Sequence, residues 1–598
     1  MHAVILAAGR GTRMRPLPGA CHKTLLPIGD RTILDRLVDG LAGLPVDALT
    51  LVVGHQGDAV TAAARRRAGA LPLHVVVNDE YSTTNNVVSL ALALAHVPDG
   101  EEVLVIEGDL VLGPGLLERV CAGPERNVAL VDRFGPDMDG TAVTVDRGVI
   151  TAIVPKGEQG PTFARSDTYK TVNVYRFSAA FRRATLDGLL AGHPERDDFY
   201  ESALARLPDL AGAAIAVELT GGAEWAEVDD PVDLAAARFR FAPAQRAAIL
   251  DQARGGHWSF PVLDFSFMAN AYFPTAPMLE ALRDALPELV GGYGSTQAVV
   301  DEKLAWLLGR DPAEVLTLHG AAQAYPILQE LWAGRRVTIP APTFGEYART
   351  FPQARTYADV PGAGVGDLDA LAAESDVLVV VTPNNPTGTT LASADLLALA
   401  ARHPDTTLLV DESFVAFSDE PPLLGLLAGA PRPNVVILTS LSKSLGVPGV
   451  RLGFVASGDA ELLAAIAARL PIWNLSAMAE RLIELTAKEP DALDEALRRT
   501  RADREALRRG LVALDGVRAA HPGGGNFVLV DLDGPPGTVA ALRERLLAEE
   551  AIEIKDVTDR FGDGVARMRV AARPAGDAQR LLAALERHLG AARAAAGR

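Results

Sequence analysis

Short runs of almost purely apolar residues, most of them ending on a small or acidic residue, recur along this chain of 598 amino acids. HAVILAA, ALTLVVG, LHVVVND and EEVLVIEGD lie in its first part; AEVLTLHG, RRVTIPA, DVLVVVTPNNPTG, TTLLVDESF, NVVILTSLS and RLGFVAS lie further on. A short apolar run without polar alternation is a strand covered on both faces, and its cover is usually helical. TILDRLVDGLAGL and NNVVSLALALAHV space their apolar residues as helices do. The pattern predicts α/β architecture, with a largely parallel sheet in the N-terminal part.

A chain this long exceeds one hydrophobic core, so two or three domains are expected. Hydrophobic residues make up 48% and charged residues 22%, the mix of a soluble globular protein. A formal charge of -19 argues against nucleic acid or an anionic membrane as partner, while leaving room for small phosphate ligands held by local groups. Cys21 and Cys121 stand far apart, which excludes a disulfide framework and makes a reducing cytoplasm the expected location. No apolar run reaches membrane-spanning length. The opening MHAVILAAGRG lacks a basic leader and reads as a first buried strand. A change of character near Phe241 to Gly256 sets the expected boundaries: a domain over 1–240, a linker over 241–256 and a second domain over 257–598, itself a large domain with a smaller C-terminal lobe.

The segment SLSKSLGVPGVRLGF places Lys443 among small hydroxyl residues, with Arg451 eight positions on. A lone lysine is usually a solvated loop residue. A Schiff-base lysine instead needs a tight polar setting in which its amine sheds a proton. Ser440 can bond a phosphate, and Arg451 can clamp one. The backbone at Gly320, Ala321 and Ala322, between a strand and a helix, offers a second anion site. TTLLVDESF ends a buried strand in Asp411, a carboxylate that needs a cation such as a protonated pyridine nitrogen. TPNNPTG holds Asn385 in a turn from which its amide can bond a ring oxygen, and Phe344 of PAPTFGEY can stack on the ring.

These segments, in this order and spacing, resemble the fold-type I pyridoxal-phosphate (PLP) aminotransferases, nearest the branch of histidinol-phosphate aminotransferase and threonine-phosphate decarboxylase. The resemblance covers roughly residues 260 to 590. It implies that Lys443 carries PLP and moves the proton. Asp411 would hold the pyridine nitrogen, Asn385 the O3′ oxygen and Phe344 the ring face. Ser440, Arg451 and the 320–322 backbone would hold the phosphate. Tyr293 in GGYGST would reach the phosphate of a partner subunit in a homodimer. Arg567 in ARMRVAAR would bind a substrate α-carboxylate, with Arg569 on the same strand face as competitor. Two positions depart from the family: Phe414 stands where a tyrosine usually bonds O3′, and Gln323 where an acidic residue is usual.

In the N-terminal part, AAGRGTRM follows the first strand. It matches neither G-x-G-x-x-G nor a P-loop. Gly9 and Gly11 free the backbone to approach a ligand, and Arg13 and Lys23 add cations suited to a triphosphate. VLVIEGDLVL ends a strand at Glu107-Gly-Asp109, and EWAEVDD offers Glu227, Asp229 and Asp230. Either acid alone reads as a cap or solvated turn; with the loop, Asp109 and Asp229 read as ligands for Mg2+. AAGRGTRM, HKTLLP, NDEYSTTNNVVSL, IEGDLVL, YKTVNVYRFS and EWAEVDD together resemble the Rossmann-like sugar-nucleotidyltransferase fold, in its phosphocholine and aminoethylphosphonate cytidylyltransferase branch. That implies nucleotide contacts from Leu6, Ala7, Ala8, Gly9, Gly11, Thr12, Arg13 and Lys23, with Lys23 and Arg13 catalytic. It also implies a substrate contact from Asn86.

An amine-forming half and a phosphorus-activating half fit one small molecule with an amine at one end and phosphorus at the other. The reading is a bifunctional enzyme that interconverts phosphonoacetaldehyde and 2-aminoethylphosphonate with an amino-acid donor, then caps the product with CMP from CTP. The alternative is an amino-acid-phosphate decarboxylase, or another aminotransferase, fused to a phosphocholine/phosphoethanolamine-type nucleotidyltransferase. A non-catalytic PLP-sensing regulator is disfavoured, because no basic DNA-binding domain accompanies the PLP half.

Overall fold

A computed structural model describes residues 1–14, 21–135, 138–160 and 163–596, with side chains to 590. The chain divides into two compact units, Met1–Phe260 and Pro261–Arg598.

Unit 1 is built on a nine-stranded sheet in the order Leu73–Val77, Ala48–Val53, His2–Ala7, Val103–Glu107, Tyr169–Phe177, Val128–Arg133, Ala216–Leu219, Val149–Val154 and Ala142–Asp146. The first four strands are parallel. Beyond them Tyr169–Phe177 runs antiparallel to both neighbours, so the sheet is mixed where a largely parallel one was expected. LHVVVND was expected to be covered on both faces. It is the sheet edge, paired only to Ala48–Val53, and Val77 is exposed. His2–Ala7 is buried at every position, as its apolar run demands. Helices Ile33–Gly40 and Asn86–Leu94 form where apolar spacing placed them, the first with a Thr32/Asp35 capping box.

The stretch expected as a linker is helical and belongs to unit 1. Arg246–Ala253 forms a helix, Phe239 stacks on Phe260, and the Arg246 guanidinium lies over Phe239. Aromatic stacking and cation–π contact give this stretch a packing surface that a tether lacks.

Unit 2 has an eight-stranded sheet in the order Val315–Leu318, Gly453–Ser457, Val435–Thr439, Thr407–Asp411, Val377–Val381, Val337–Ala341, Arg355–Val360 and Gly364–Val365. Gly453–Ser457 is antiparallel to both neighbours; Val435–Thr439 through Arg355–Val360 are parallel. Strands such as Val377–Val381 and Val435–Thr439 bury nearly every side chain between two helical layers. Each fully buried Val, Ile or Leu contributes about 1.5–3 kcal/mol relative to exposure. The smaller lobe has a four-stranded antiparallel sheet, Val517–His521, Phe527–Leu532, Arg567–Ala571 and Lys555–Asp556. Among the described residues no helix is long and apolar enough to cross a membrane.

Candidate functional sites

Open α/β sheets bind ligands outside the carboxyl ends of their strands, at the point where strand order reverses. In unit 1 that point lies between His2–Ala7 and Val103–Glu107. A cleft of about 320 Å3 opens there. Leu6, Ala7, Ala8, Gly9, Gly11, Thr12, Arg13, Lys23, Asn86, Asp109 and Asp229 all line it. Gly108 lets the strand end approach its neighbour, since a Cβ there would stand 2.6 Å from the Leu6 carbonyl oxygen.

Lys23 bridges the two aspartates. Its ammonium donates to Asp109, and to Asp229 at 3.1 Å, while Arg13 pairs with Asp229 at 2.7 Å. Burial by itself would lower the Lys23 pKa; the two carboxylates outweigh it and hold it above the usual lysine range. Asp109 Oδ1 is buried with no hydrogen-bond partner among the described residues. Glu107, Asp109 and Glu227 each offer an oxygen, all within 4.8 Å of one another. An unsatisfied buried carboxylate oxygen in a three-acid cluster fits a divalent cation.

Glu107 and Glu227 stood in the quoted motifs without being selected, because only folding brings the two strand ends together. Burial, then Asp109, pushes the Glu107 carboxyl up. Burial raises Glu227 to about 7, against the pull of Lys170. Lys170, almost fully buried, pairs with Glu227 at 3.2 Å. The signal for it was a lysine inside the strand YKTVNVYRF. Asn173, at φ 59° in an irregular stretch of that strand, donates to Glu227 at 3.2 Å. Asn86 donates to Glu107 at 2.9 Å. Asp230 is a helix N-cap, bonding the backbone N–H groups of Val232 and Asp233. His22, also missed, bonds the Gly9 carbonyl through Nε2 at 2.9 Å and ties the glycine loop to Lys23.

In unit 2 the expected residues again follow strand ends: Gly320 after Val315–Leu318, Asn385 after Val377–Val381, Asp411 at the end of Thr407–Asp411, and Ser440 after Val435–Thr439. Gly320 has φ 74°, a backbone conformation that favours glycine, and a Cβ on it would also press on Arg451 Nη2 at 2.6 Å. Ala321 and Ala322 open a short 3-10 turn behind it. Lys443 lies in a one-turn helix, Leu441–Ser444. Burial, then the charges of Arg569 and Arg451, lowers its pKa to about 8. Burial pushes the Asp411 carboxyl up, against hydrogen bonds from Ser413 and Tyr347.

The two candidate arginines part company. Arg567 pairs with Asp531 at 2.9 Å and Asp563 at 2.7 Å. Arg569 instead donates to Asn385 Oδ1 at 2.7 Å and to the Ser266 carbonyl, and its Nε is buried without a hydrogen-bond partner among the described residues. Cross-strand register decides this: Arg567 faces Asp531 and Arg569 faces Leu529. Burial lowers the Arg569 pKa to about 9, with the Arg560 charge acting the same way. Arg560 donates to the Thr343 carbonyl at 2.9 Å, beside Phe344; nothing in the sequence motifs had singled it out. Phe344 is partly exposed, and Tyr293 is exposed and stacked on Trp473 at 4.3 Å. Phe414 is buried edge-on against Phe527 at 5.4 Å, in a cluster with Met268, Phe417, Leu497 and Ala571. Gln323 accepts from the His319 N–H and donates to Asn474.

Two family models match: "Aminotransferase class I and II" over residues 262–587 and "MobA-like NTP transferase domain" over residues 3–194. The chain belongs to the class I and II aminotransferases, with an NTP transferase domain fused ahead of the aminotransferase domain. Over its whole length it is 35% identical to CMP-5'-(3-aminopropyl)phosphonate synthase of Streptomyces rubellomurinus, covering 96% of that protein. A threonine-phosphate decarboxylase of Sinorhizobium sp is 38% identical over 43% of this chain and 72% of its own. Histidinol-phosphate aminotransferase from Sinorhizobium meliloti, solved with pyridoxal-5'-phosphate, shares the fold of 59% of this chain and 98% of its own, at a TM-score of 0.50 and 20% identity.

Proposed function

We propose that unit 1 transfers CMP from CTP to a phosphonate oxygen of a short aminoalkylphosphonate, releasing pyrophosphate, and that unit 2 forms the amine of that same molecule. The observation that carries this reading is the presence in one chain of two lysine sites with opposite electrostatics, Lys23 clamped by two acids and Lys443 set among cations. The full-length relative, named for a CMP-aminophosphonate product, supports it.

Leu6 to Thr12 would cradle the nucleotide, and Arg13 and Lys23 would face its phosphates. Asp109, with Asp229 or with Glu107 and Glu227, would hold Mg2+, whose role is to neutralise charge on the triphosphate. Asn86, fixed by Glu107, would contact the acceptor.

In unit 2, PLP when bound supplies an electron sink for the carbon bearing the amine. Lys443 would hold it and move the proton, with its lowered pKa making a free amine accessible near neutral pH. Asp411 would bind the ring nitrogen; Ser440, Arg451 and the 320–322 backbone the phosphate; Phe344 the ring face. Arg569 bonds the oxygen of the Asn385 amide, which leaves Nδ2 to donate to O3′. We assign the substrate carboxylate to Arg569 rather than Arg567, whose guanidinium is already committed to two aspartates. Tyr293 would complete the phosphate site of a partner subunit in a homodimer, and the cytoplasm would supply CTP and the amino-acid donor.

For the reaction of unit 2, interconversion of phosphonoacetaldehyde and 2-aminoethylphosphonate is the leading reading. Decarboxylation of an α-amino acid carrying a terminal phosphate or phosphonate is the second, favoured by the 38% identity to a threonine-phosphate decarboxylase. Purified protein with CTP, Mg2+ and 2-aminoethylphosphonate should release pyrophosphate; no release with either this acceptor or 3-aminopropylphosphonate would sink the reading of unit 1. Carbon dioxide release from an amino acid phosphonate, without an oxo-acid acceptor, would select the second reading for unit 2.

A further inference from the structure

Asp411 is nearly inaccessible to solvent, and a buried carboxylate remains an anion only where donors surround it. Two hydroxyl residues do so here. Tyr347 Oη donates to Asp411 Oδ2 at 2.8 Å. Ser413 donates its backbone N–H to Oδ1 at 3.0 Å, and its side chain, like that of Tyr347, works against burial to lower the Asp411 pKa. Ser413 Oγ accepts the Ser440 N–H at 3.0 Å, so one residue, through its backbone N–H and its hydroxyl, joins Asp411 to the loop that carries Lys443. Tyr347 is fully buried, with Tyr325 edge-on against it at 5.3 Å. Its phenol therefore has no bulk water to bond, and the carboxylate is its partner.

We propose that Tyr347 and Ser413 are positioning residues that act through Asp411, holding its carboxylate ionised and oriented toward the nitrogen end of the bound ring. This rests on the PLP reading of unit 2. Removing a donor makes the carboxylate more basic, so the proton shared with the ring nitrogen moves toward Asp411 and the electron sink weakens.

The test uses holoprotein loaded with ring-15N-labelled PLP. In Tyr347→Phe, and to a smaller extent in Ser413→Ala, the nitrogen signal should move toward the unprotonated position, and PLP affinity should fall roughly tenfold in Tyr347→Phe, which loses a hydrogen bond to a charged group. The double variant should move further, and Ser413→Thr, which keeps a hydroxyl, should restore the signal. Tyr347→Phe retains the ring and its packing, so a merely structural role predicts an unmoved nitrogen signal. Loaded variants with the wild-type signal would overturn this proposal alone. Wild-type protein that takes up no PLP would overturn it together with the cofactor reading beneath it.

Discussion

Lys23 and Lys443 both sit beyond the carboxyl ends of sheet strands, and both are largely removed from solvent. Their surroundings drive them in opposite directions. Lys23 lies between Asp109 and Asp229, which hold it charged despite its burial. Lys443 is also buried, and there burial and the charges of Arg569 and Arg451 outweigh Asp411, so its pKa falls to about 8. A lysine among acids is a fixed positive charge, fit to bind phosphate. A lysine among arginines readily gives up its proton, fit to attack a carbonyl. In the proposed reading one residue type would serve charge stabilisation in one unit and covalent chemistry in the other, because different charges face it in two buried settings.

The comparison breaks most visibly at the lysines and acids themselves. Lys443→Ala should abolish the absorbance of the lysine-linked cofactor and cut amine chemistry at least about a thousandfold, while CMP transfer persists. Loss of both activities in a folded variant would show that the two sites are not independent. In the wild-type apoprotein, capture of PLP should accelerate as pH rises through about 8, because the free amine accumulates above its pKa. A flat rate between pH 7 and 9 would contradict the assignment.

Asp109→Asn should lower CMP transfer about a hundredfold or more, since an amide is a poorer Mg2+ ligand and Lys23 loses a partner. The cofactor spectrum should stay as in the wild type. Wild-type turnover of the variant at low Mg2+ would remove Asp109 from the metal site.

The arginines sharpen the comparison within unit 2. Arg569→Met should raise KM for the amino acid about 30-fold or more, by analogy with truncating one member of a buried charge pair. Arg567→Met should leave KM near its normal value and instead destabilise the fold by about 3 kcal/mol at most, because Asp531 loses its arginine and keeps only His521, visible in denaturant unfolding. The reverse assignment of effects would restore Arg567 as the carboxylate ligand.

Phe414→Tyr carries the smallest expected effect. A phenol donating to O3′ would favour the oxyanion and weaken its hold on the neighbouring proton, so the pH midpoint of the cofactor absorbance should fall by about one unit at most. An unchanged midpoint with full cofactor would mean that position 414 only fills the cluster around Phe527.

Motifs that are contiguous in the chain were legible from it. AAGRGTRM, NNPTG, DESF and SLSKSLG each place a functional group by local turn geometry beside a buried strand, so the cleft lining in unit 1 and the strand-end positions in unit 2 follow from order and spacing. Less legible was anything decided by pairing between distant segments. LHVVVND has the composition of an interior strand and lies at an edge, because apolar content does not state how many neighbours a strand has. Residues 241–256 carry loop-forming glycines at one end, yet a helix and the contacts of Arg246 with Phe239 fold them onto unit 1.

By itself, then, the sequence determined the α/β class, the two enzyme classes and which residues line the cleft of unit 1, because periodicity and short motifs are local properties of the chain. Tertiary structure alone decided which carboxylates gather with Asp109, that Lys170 pairs with Glu227, and that Arg569 rather than Arg567 stands beside Asn385. It also decided the protonation tendencies of Lys23 and Lys443, which no motif encodes. Electrostatic environment depends on distance and burial in space, and residues far apart in sequence supply it.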